Sequence, residues 1–258
     1  MKQEYDIIRI HGEEKKNVAD QVAVEAPITI FLNGREVVTF LCTPQFLADL
    51  AVGFLIGEGL IKDTADIIRI GVKKDQGLVE VEAKKENMIA GKTFGKRYLT
   101  SGCGKGTSFY GLMDSRQVHP ITVKNQFKLE QIRRGIRVLQ TDTALFKDTG
   151  GVHACALMGE DGLLVLREDI GRHNAADKVL GWLYHQKLDI EKVFFITTGR
   201  ISSEILLKVA KTGISLLVSR SAPTSLAVEI SREINMSMIG FMRGTRANIY
   251  VGEERVIL

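Results

Sequence analysis

The residues best suited to chemistry lie in the stretch LTSGCGKGTS, residues 99–108, which places Cys103 among three glycines, a lysine and several hydroxyl groups. This composition is compatible with a phosphate-binding loop, half of a metal site or a reactive thiol. A P-loop requires Gly, four spacers and then Gly-Lys-Ser/Thr. Here another glycine follows the Gly104-Lys105 pair, and Leu99 stands where the first glycine belongs. The sequence therefore excludes a P-loop.

A metal site has little support from the cysteine and histidine spacing. Zinc sites usually use closely paired Cys or His ligands, whereas Gly106 occupies the position three residues after Cys103. The segment GVHAC places His153 two residues before Cys155, which is similar to the H-x-E of zinc deaminases. However, Cys155 replaces the acid and no P-C-x-x-C follows. Side chains two apart on a strand share a face, so a buried structural pair is the favoured interpretation and no metal is predicted.

The reactive-thiol interpretation fits the setting of Cys103. The surrounding glycines permit close approach of another chain. Nearby cations favour the thiolate over the thiol: Lys96, Arg97 and Lys105. An incidental, inert thiol on a glycine-rich loop is the alternative, and these residues alone do not decide between the two.

Basic and hydroxyl side chains follow several predicted strands in the second half of the chain. Carboxyl ends of strands are where ligands bind in open α/β sheets, and helix N-termini bind phosphates readily. We therefore predict a basic cleft for a multiply charged, phosphorylated ligand; ordinary N-capping would explain the hydroxyl groups but not the arginines. The residues concerned are Arg172, His173, Asn174, Arg200, Ser202, Ser203, Arg220, Ser221, Thr224, Ser225, Arg243 and Arg246.

The elements that must position these residues divide the chain in two. The first part has a hairpin around Asn33-Gly34, a helix capped by Thr43 with Pro44 at its first position, and two short strands within residues 66–83. A long irregular segment, residues 84–118, contains Cys103. Helices and continuous apolar strands then alternate, which predicts a largely parallel sheet covered on both faces. We predict a smaller α+β domain at 1–120 and a three-layer α/β domain at 121–258.

The composition is that of an ordinary globular protein. Of 258 residues, 45% are hydrophobic and 26% charged, and the net charge of +4 is too small and dispersed to indicate nucleic acid as a partner. The apolar stretch LADLAVGFLIG is too short for a membrane span, and the first residues lack the apolar region of a signal peptide. We expect a cytoplasmic protein without a membrane partner, its three cysteines reduced and its Cys42 and Cys155 buried and unreactive.

Long motifs across the chain resemble the FdhD/NarQ family of formate dehydrogenase accessory sulfurtransferases. They include EDIGRHNAADKVLG, TTGRISSEILLKVAKTGISLLVSRSAPTSLAVEIS, GFMRGTRANIYV, TGGVHACAL and FLADLAVGFLIGEGLI. The resemblance implies a cytidine-deaminase-like α/β/α domain without the zinc chemistry, in a homodimer. It also implies an enzyme that takes persulfide sulfur from a cysteine desulfurase and passes it to the molybdenum cofactor, bis-molybdopterin guanine dinucleotide, for formate dehydrogenase. Guanine nucleotide (GDP) is implied as a mimic of that cofactor.

The same resemblance assigns roles to individual residues. Cys103 is the implied catalytic sulfur carrier, although many members have a second loop cysteine where this chain has Gly106. A mechanism that needs two loop thiols is therefore in doubt, whereas a relay needs one nucleophile. The cofactor-binding turn is implied to comprise Phe241, Met242, Arg243, Gly244, Thr245 and Arg246. Five further residues are expected to line the same cleft: His173, Asn174, Arg200, Ser202 and Ser221.

Two other functions remain open at this point. One is a non-catalytic chaperone that binds the molybdenum cofactor without moving sulfur. The other is a nucleotide-processing enzyme of the deaminase fold, against which the missing H-x-E and P-C-x-x-C motifs argue. A metal assay distinguishes this nucleotide-processing enzyme from both the sulfurtransferase and the chaperone.

Overall fold

The computed structural model describes residues 1–84, 118, 120–123 and 125–258. Its strands are β1 Lys2–His11, β2 Glu14–Ala23, β3 Ala26–Leu32, β4 Arg35–Cys42, β5 Ile67–Lys73, β6 Leu78–Ala83, β7 Phe127–Lys128, β8 His153–Gly159, β9 Gly162–Asp169, β10 Phe194–Thr197, β11 Leu216–Ser219, β12 Ser237–Arg243, β13 Arg246–Val251 and β14 Val256–Ile257. Its α-helices are α1 Leu47–Gly57, α2 Leu129–Thr141, α3 Ala144–Thr149, α4 Arg172–Tyr184, α5 Ser203–Ala210 and α6 Ser225–Glu233. None of these helices is long and apolar enough to cross a membrane.

The first half is built on a four-stranded sheet in the order β4-β3-β6-β5. Alternate residues of β3 point inward and meet the apolar side of α1 in one hydrophobic core. The rings of Phe40 and Phe54 pack edge to face in this core, with centroids 4.9 Å apart. The predicted hairpin is confirmed: Asn33 and Gly34 join β3 to β4 with φ values of 50° and 77°, as a type I′ turn requires.

The second half is built on a six-stranded sheet in the order β13-β12-β11-β10-β8-β9. Only the β10–β11 and β11–β12 pairs are parallel; the other three pairs are antiparallel. The prediction of a largely parallel sheet is therefore wrong. Short turns follow β8 and β12, so β9 and β13 each run back along the strand that precedes them, and a pair formed in this way is antiparallel.

Helices cover both faces of this six-stranded sheet. Along β10 and β11, Phe195 and Leu217 face the core shared with α4, α5 and α6. Their neighbours Phe194 and Leu216 face a second core shared with α2. This double burial explains the continuous apolar runs that predicted the strands. The mixed α/β architecture is confirmed, while the likeness to cytidine deaminases and the boundary at 120/121 stay predictions.

Residues 1–25 hold an element that the sequence analysis did not anticipate. Strands β1 and β2 pair along ten residues as an antiparallel hairpin. An ion pair of 2.7 Å between Lys2 and Asp148 joins its base to α3. The base of the hairpin thereby lies beside the short helix that borders the site described below.

Helix α1 starts later than predicted. Its first residue is Leu47 and its N-cap is Phe46, with φ 52°, so the prediction of Thr43 as N-cap and Pro44 as first helical residue is wrong. Thr43 is fully buried, and its hydroxyl lies 3.0 Å from the Asp169 carboxylate. Because this tertiary partner takes up the hydroxyl, it does not cap the helix.

Helices α1 and α4 cross with their backbones in contact. A Cβ built on Gly53 would lie 1.9 Å from the Asp177 carbonyl oxygen, and one on Gly181 would lie 1.8 Å from the Asp49 carbonyl oxygen. Glycine is therefore required at both positions of this crossing. The contact fixes α4, whose first turn contributes to the site, against the first half of the chain.

Candidate functional site

A cavity of about 500 Å³ opens at the edge of the six-stranded sheet where β10 and β11 end. Strand β8 runs antiparallel to β10, so its first residue, His153, reaches the same edge. The polar part of the wall includes His153, Thr198, Arg220, Ser221 and Arg243. Helices α2 and α3 supply an apolar part that includes Leu139 and Phe146. The cavity thus combines an apolar wall with basic groups at strand ends.

Hydrogen bonds fix the two loops that form the polar wall. The Ser219 hydroxyl donates to the Gly199 carbonyl at 2.6 Å and accepts from the Ser221 N–H at 2.9 Å. The Thr197 hydroxyl accepts from the Gly199 N–H at 3.1 Å. Ile201 and Pro223 then pair as an isolated parallel bridge. These contacts hold the residues after β10 and β11 side by side, so the basic groups that follow have a defined spacing.

Arg220 and Arg243 form the first basic group of the site. The Nε of Arg243 donates to the backbone carbonyl of Arg220 at 3.1 Å, which ties the β12–β13 turn to the loop after β11. The Nε of Arg220 is buried and has no hydrogen-bond partner within the described ranges. Arginine side chains at such a place suit the oxygens of phosphate or carboxylate groups.

A second basic group lies at the start of α4. Burial and the charge of Arg200 lower the pKa of Arg172, against the opposing charge of Glu204. The Nε of Arg172 is also buried without a hydrogen-bond partner among the described residues. His173 pairs through Nε2 with the Glu204 carboxylate at 3.0 Å and lies 3.4 Å from the Ser202 hydroxyl. The guanidinium groups of Arg172 and Arg200 therefore lie near each other on this side of the site.

His153 lines the cavity with the first basic group and is also affected by the charges of the second. The sequence instead predicted that it is a buried structural residue. Burial lowers the pKa of its imidazole, and the charges of Arg172, His173 and Arg200 lower it further, with Asp169 opposing them. The expected buried pair with Cys155 is wrong for His153, which lies at the strand end and lines the cavity. A strand-end position next to TGG was the signal in the sequence that could have placed it there.

Several predicted cleft residues serve the scaffold instead. Ser202 and Thr224 are the N-caps of α5 and α6, accepting from the Ile205 and Ala227 N–H groups. Asn174 is buried and donates to the Leu41 carbonyl and the Asp169 carboxylate, both at 3.0 Å. The expectation that Asn174 lines the cleft is therefore wrong, because its amide is used between the two halves of the chain.

The predicted cofactor-binding turn, Phe241 to Arg246, lies beside the cavity. Arg243 lines the cavity, and Gly244, Thr245 and Arg246 are exposed around the turn. Phe241 has φ 51°, which is rare for a bulky residue, and its N–H donates to the Ser221 carbonyl at 3.0 Å. The side chain of Met242 is buried in the core, so only its backbone can reach a ligand.

Of the three cysteines, Cys103 lies outside the described residues. Cys42 and Cys155 are buried, as predicted. The Cys155 thiol lies 3.3 Å from the Thr197 hydroxyl. Within the described ranges, no three His, Cys, Asp or Glu side chains come together as a group that could hold a metal ion.

The two described cysteines are expected to resist thiol reagents. Burial raises the pKa of Cys42 and of Cys155 to about 12, so both remain thiols near neutral pH, and the thiolate is the reactive form. Mass spectrometry after brief native alkylation at pH 7.5 should find both unmodified, and full labelling should require denaturant. Rapid native labelling of either cysteine would contradict this prediction.

The fold and site define a mixed α/β protein with a basic cavity at the ends of its central strands. The FdhD/NarQ family model matches residues 23–257, and the chain belongs to the FdhD/NarQ family. It is 38% identical to the sulfur carrier protein FdhD of Bacillus subtilis over 97% of this chain and 96% of that one. It is 41% identical to the sulfur carrier protein FdhD of Listeria monocytogenes over 97% of each chain.

A solved structure has the same fold. It is a protein from Desulfotalea psychrophila described as a formate dehydrogenase accessory protein, 27% identical, with a TM-score of 0.82 and 99% of each chain covered. The likeness therefore extends over both halves of the chain.

Proposed function

We propose that this protein is a sulfurtransferase that carries sulfur on Cys103 and delivers it to the molybdenum cofactor needed by formate dehydrogenase. The observation that carries the proposal is the near-full-length likeness to relatives named sulfur carrier protein FdhD. The likeness to a formate dehydrogenase accessory protein supports the same client. A cysteine desulfurase would be the sulfur donor, and the cytoplasm the site of action.

Cys103 is the proposed nucleophile because both described cysteines are buried. Its thiolate attacks the outer sulfur of the desulfurase persulfide, forming a new S–S bond while the desulfurase cysteine leaves as a thiolate. Delivery to the metal reduces the transferred sulfur atom to sulfide, oxidises the metal by two electrons and returns Cys103 as a thiolate. Each step needs one thiol of this protein, so Gly106 in place of a second cysteine does not prevent it.

The basic cavity is the proposed site for the nucleotide arms of bis-molybdopterin guanine dinucleotide. Arg220 and Arg243 supply guanidinium donors for its phosphates, and the turn containing Gly244 and Arg246 lies beside them. A homodimer would present two such cavities to a cofactor with two nucleotide arms. GDP should bind in the same place as a partial mimic.

The intact mass of the protein tests the sulfur-carrier role. After incubation with a cysteine desulfurase and cysteine, we expect a gain of about 32 Da, one sulfur atom, that is reversed by a reducing agent. Cys103→Ala should abolish the gain because it removes the nucleophile. Cys42→Ala is the matched control and should retain it, since that thiol is buried and protonated.

The opposite result has a defined meaning. If neither the wild type nor either variant gains sulfur while the wild type still binds GDP, the sulfur-transfer role fails. A non-catalytic cofactor-binding chaperone then becomes the better account. If Cys103→Ala gains sulfur as well as the wild type does, the carrier is another cysteine.

A further inference from the structure

His153 is the residue of the described cavity wall whose charge can change near neutral pH. The other polar side chains of the wall are the hydroxyls of Thr143, Thr198 and Ser221, which stay neutral, and the guanidiniums of Arg220 and Arg243, which stay charged. An imidazole at this place can therefore become positively charged when a negatively charged ligand binds.

The charges around His153 come from several segments of the chain. The first turn of α4 contributes Arg172 and His173, and the loop after β10 contributes Arg200. The end of β9 contributes Asp169, whose carboxylate is already bound by the buried ammonium of Lys178 at 2.6 Å. The cavity wall also contributes Arg220 and Arg243. The surroundings of His153 are thus predominantly positive.

In the protein without a bound ligand, these charges oppose a proton on His153. Burial and the neighbouring cations hold the pKa of the imidazole below its ordinary value, so it is mostly neutral at pH 7. A phosphate bound against His153, Arg220 and Arg243 reverses this balance, because its negative charge favours the imidazolium. The buried Nε atoms of Arg172 and Arg220 have no hydrogen-bond partner among the described residues, which indicates that an anion completes both basic groups.

We propose that His153 binds the phosphates of the nucleotide arm and takes up one proton from solution as it does so. This inference rests on the proposed function for the choice of ligand. It makes binding tighter as the pH falls from the higher pKa of His153 in the complex to the lower one in the free protein. Within that window the dissociation constant should change by up to about tenfold per pH unit.

Isothermal titration calorimetry measures this proton directly. The probe is GDP-mannose, whose two phosphates carry no proton that titrates near pH 7. Titrations at pH 7.0 in buffers of different ionisation enthalpy should show net proton uptake on binding by the wild type, as linkage requires. The dissociation constant measured from pH 6 to pH 8.5 should rise with pH and then level off.

Two substitutions locate the proton. His153→Gln keeps a polar side chain but cannot titrate, so uptake should vanish and the remaining, weaker binding should lose this pH dependence. His185→Gln should retain the uptake, because His185 is exposed at the opposite end of α4 and does not line the cavity. A thermal melt of each variant checks that it is folded.

The outcomes separate this inference from the function on which it rests. Binding of GDP-mannose without proton uptake, or uptake that persists undiminished in His153→Gln, overturns the role of His153 and leaves the nucleotide site intact. Failure of the wild type to bind either GDP-mannose or GDP overturns both the proposed ligand and the role of His153.

Discussion

Gly181→Ala is expected to destabilise the protein by on the order of 3 kcal/mol or more. The added methyl group would lie 1.8 Å from the Asp49 carbonyl oxygen, a backbone atom that cannot move aside without shifting α1. Overpacking of this kind outweighs the roughly 1 kcal/mol by which alanine favours a helix over glycine. Urea denaturation followed by circular dichroism measures the loss.

Gly57→Ala is the matched control for this prediction. It lies in α1, the other helix of the crossing, but its Cβ would meet only side-chain carbons of Lys208 at 3.7 Å, which is ordinary contact distance. This variant should equal or slightly exceed the wild type in stability. Equal stability of Gly181→Ala and wild type would mean that the helices do not cross as closely as described. Gly53→Ala should behave like Gly181→Ala, because it faces the same crossing.

Lys178→Met is expected to cost about 3–5 kcal/mol of unfolding free energy, the usual result of removing one partner from a buried ion pair. Both Lys178 and Asp169 have fully buried side chains, and their charged atoms are 2.6 Å apart. The ammonium also donates to the Thr43 carbonyl at 2.9 Å and the Thr43 hydroxyl at 2.8 Å. Its removal leaves the Asp169 carboxylate without a cation.

A double-mutant cycle checks that the pair, rather than the lost side-chain volume, causes the effect. Lys178→Met combined with Asp169→Asn should cost less than the sum of the two single variants, because the double variant has no unpaired charge. Lys192→Met is the surface control: its partner Glu160 is 3.2 Å away, both side chains are exposed, and the cost should stay below about 1 kcal/mol. Strict additivity in the cycle would refute the buried-pair explanation.

Local pattern predicted the parts of the fold that local interactions determine. The apolar runs of β10 and β11, the Asn33-Gly34 turn and the helical periodicity of α2 each depend on neighbours within a few residues. The direction of strand pairing was less predictable, because a short turn between two strands outweighs the general character of an α/β sequence. The hairpin of β1 and β2 went unpredicted, since its exposed strands have no continuous apolar run.

The same distinction between local pattern and tertiary structure applies to the site. The sequence by itself determined that arginines follow the central strands, that Cys103 stands among glycines, and that the motifs are those of the FdhD/NarQ family. Only the tertiary structure decided which polar residues face the cavity. Thr43 is 126 residues from Asp169, and Asn174 is 133 residues from Leu41, so no local pattern could reveal that these groups bond to each other. His153 entered the site for the same reason, because the charges around it come from four separate segments of the chain.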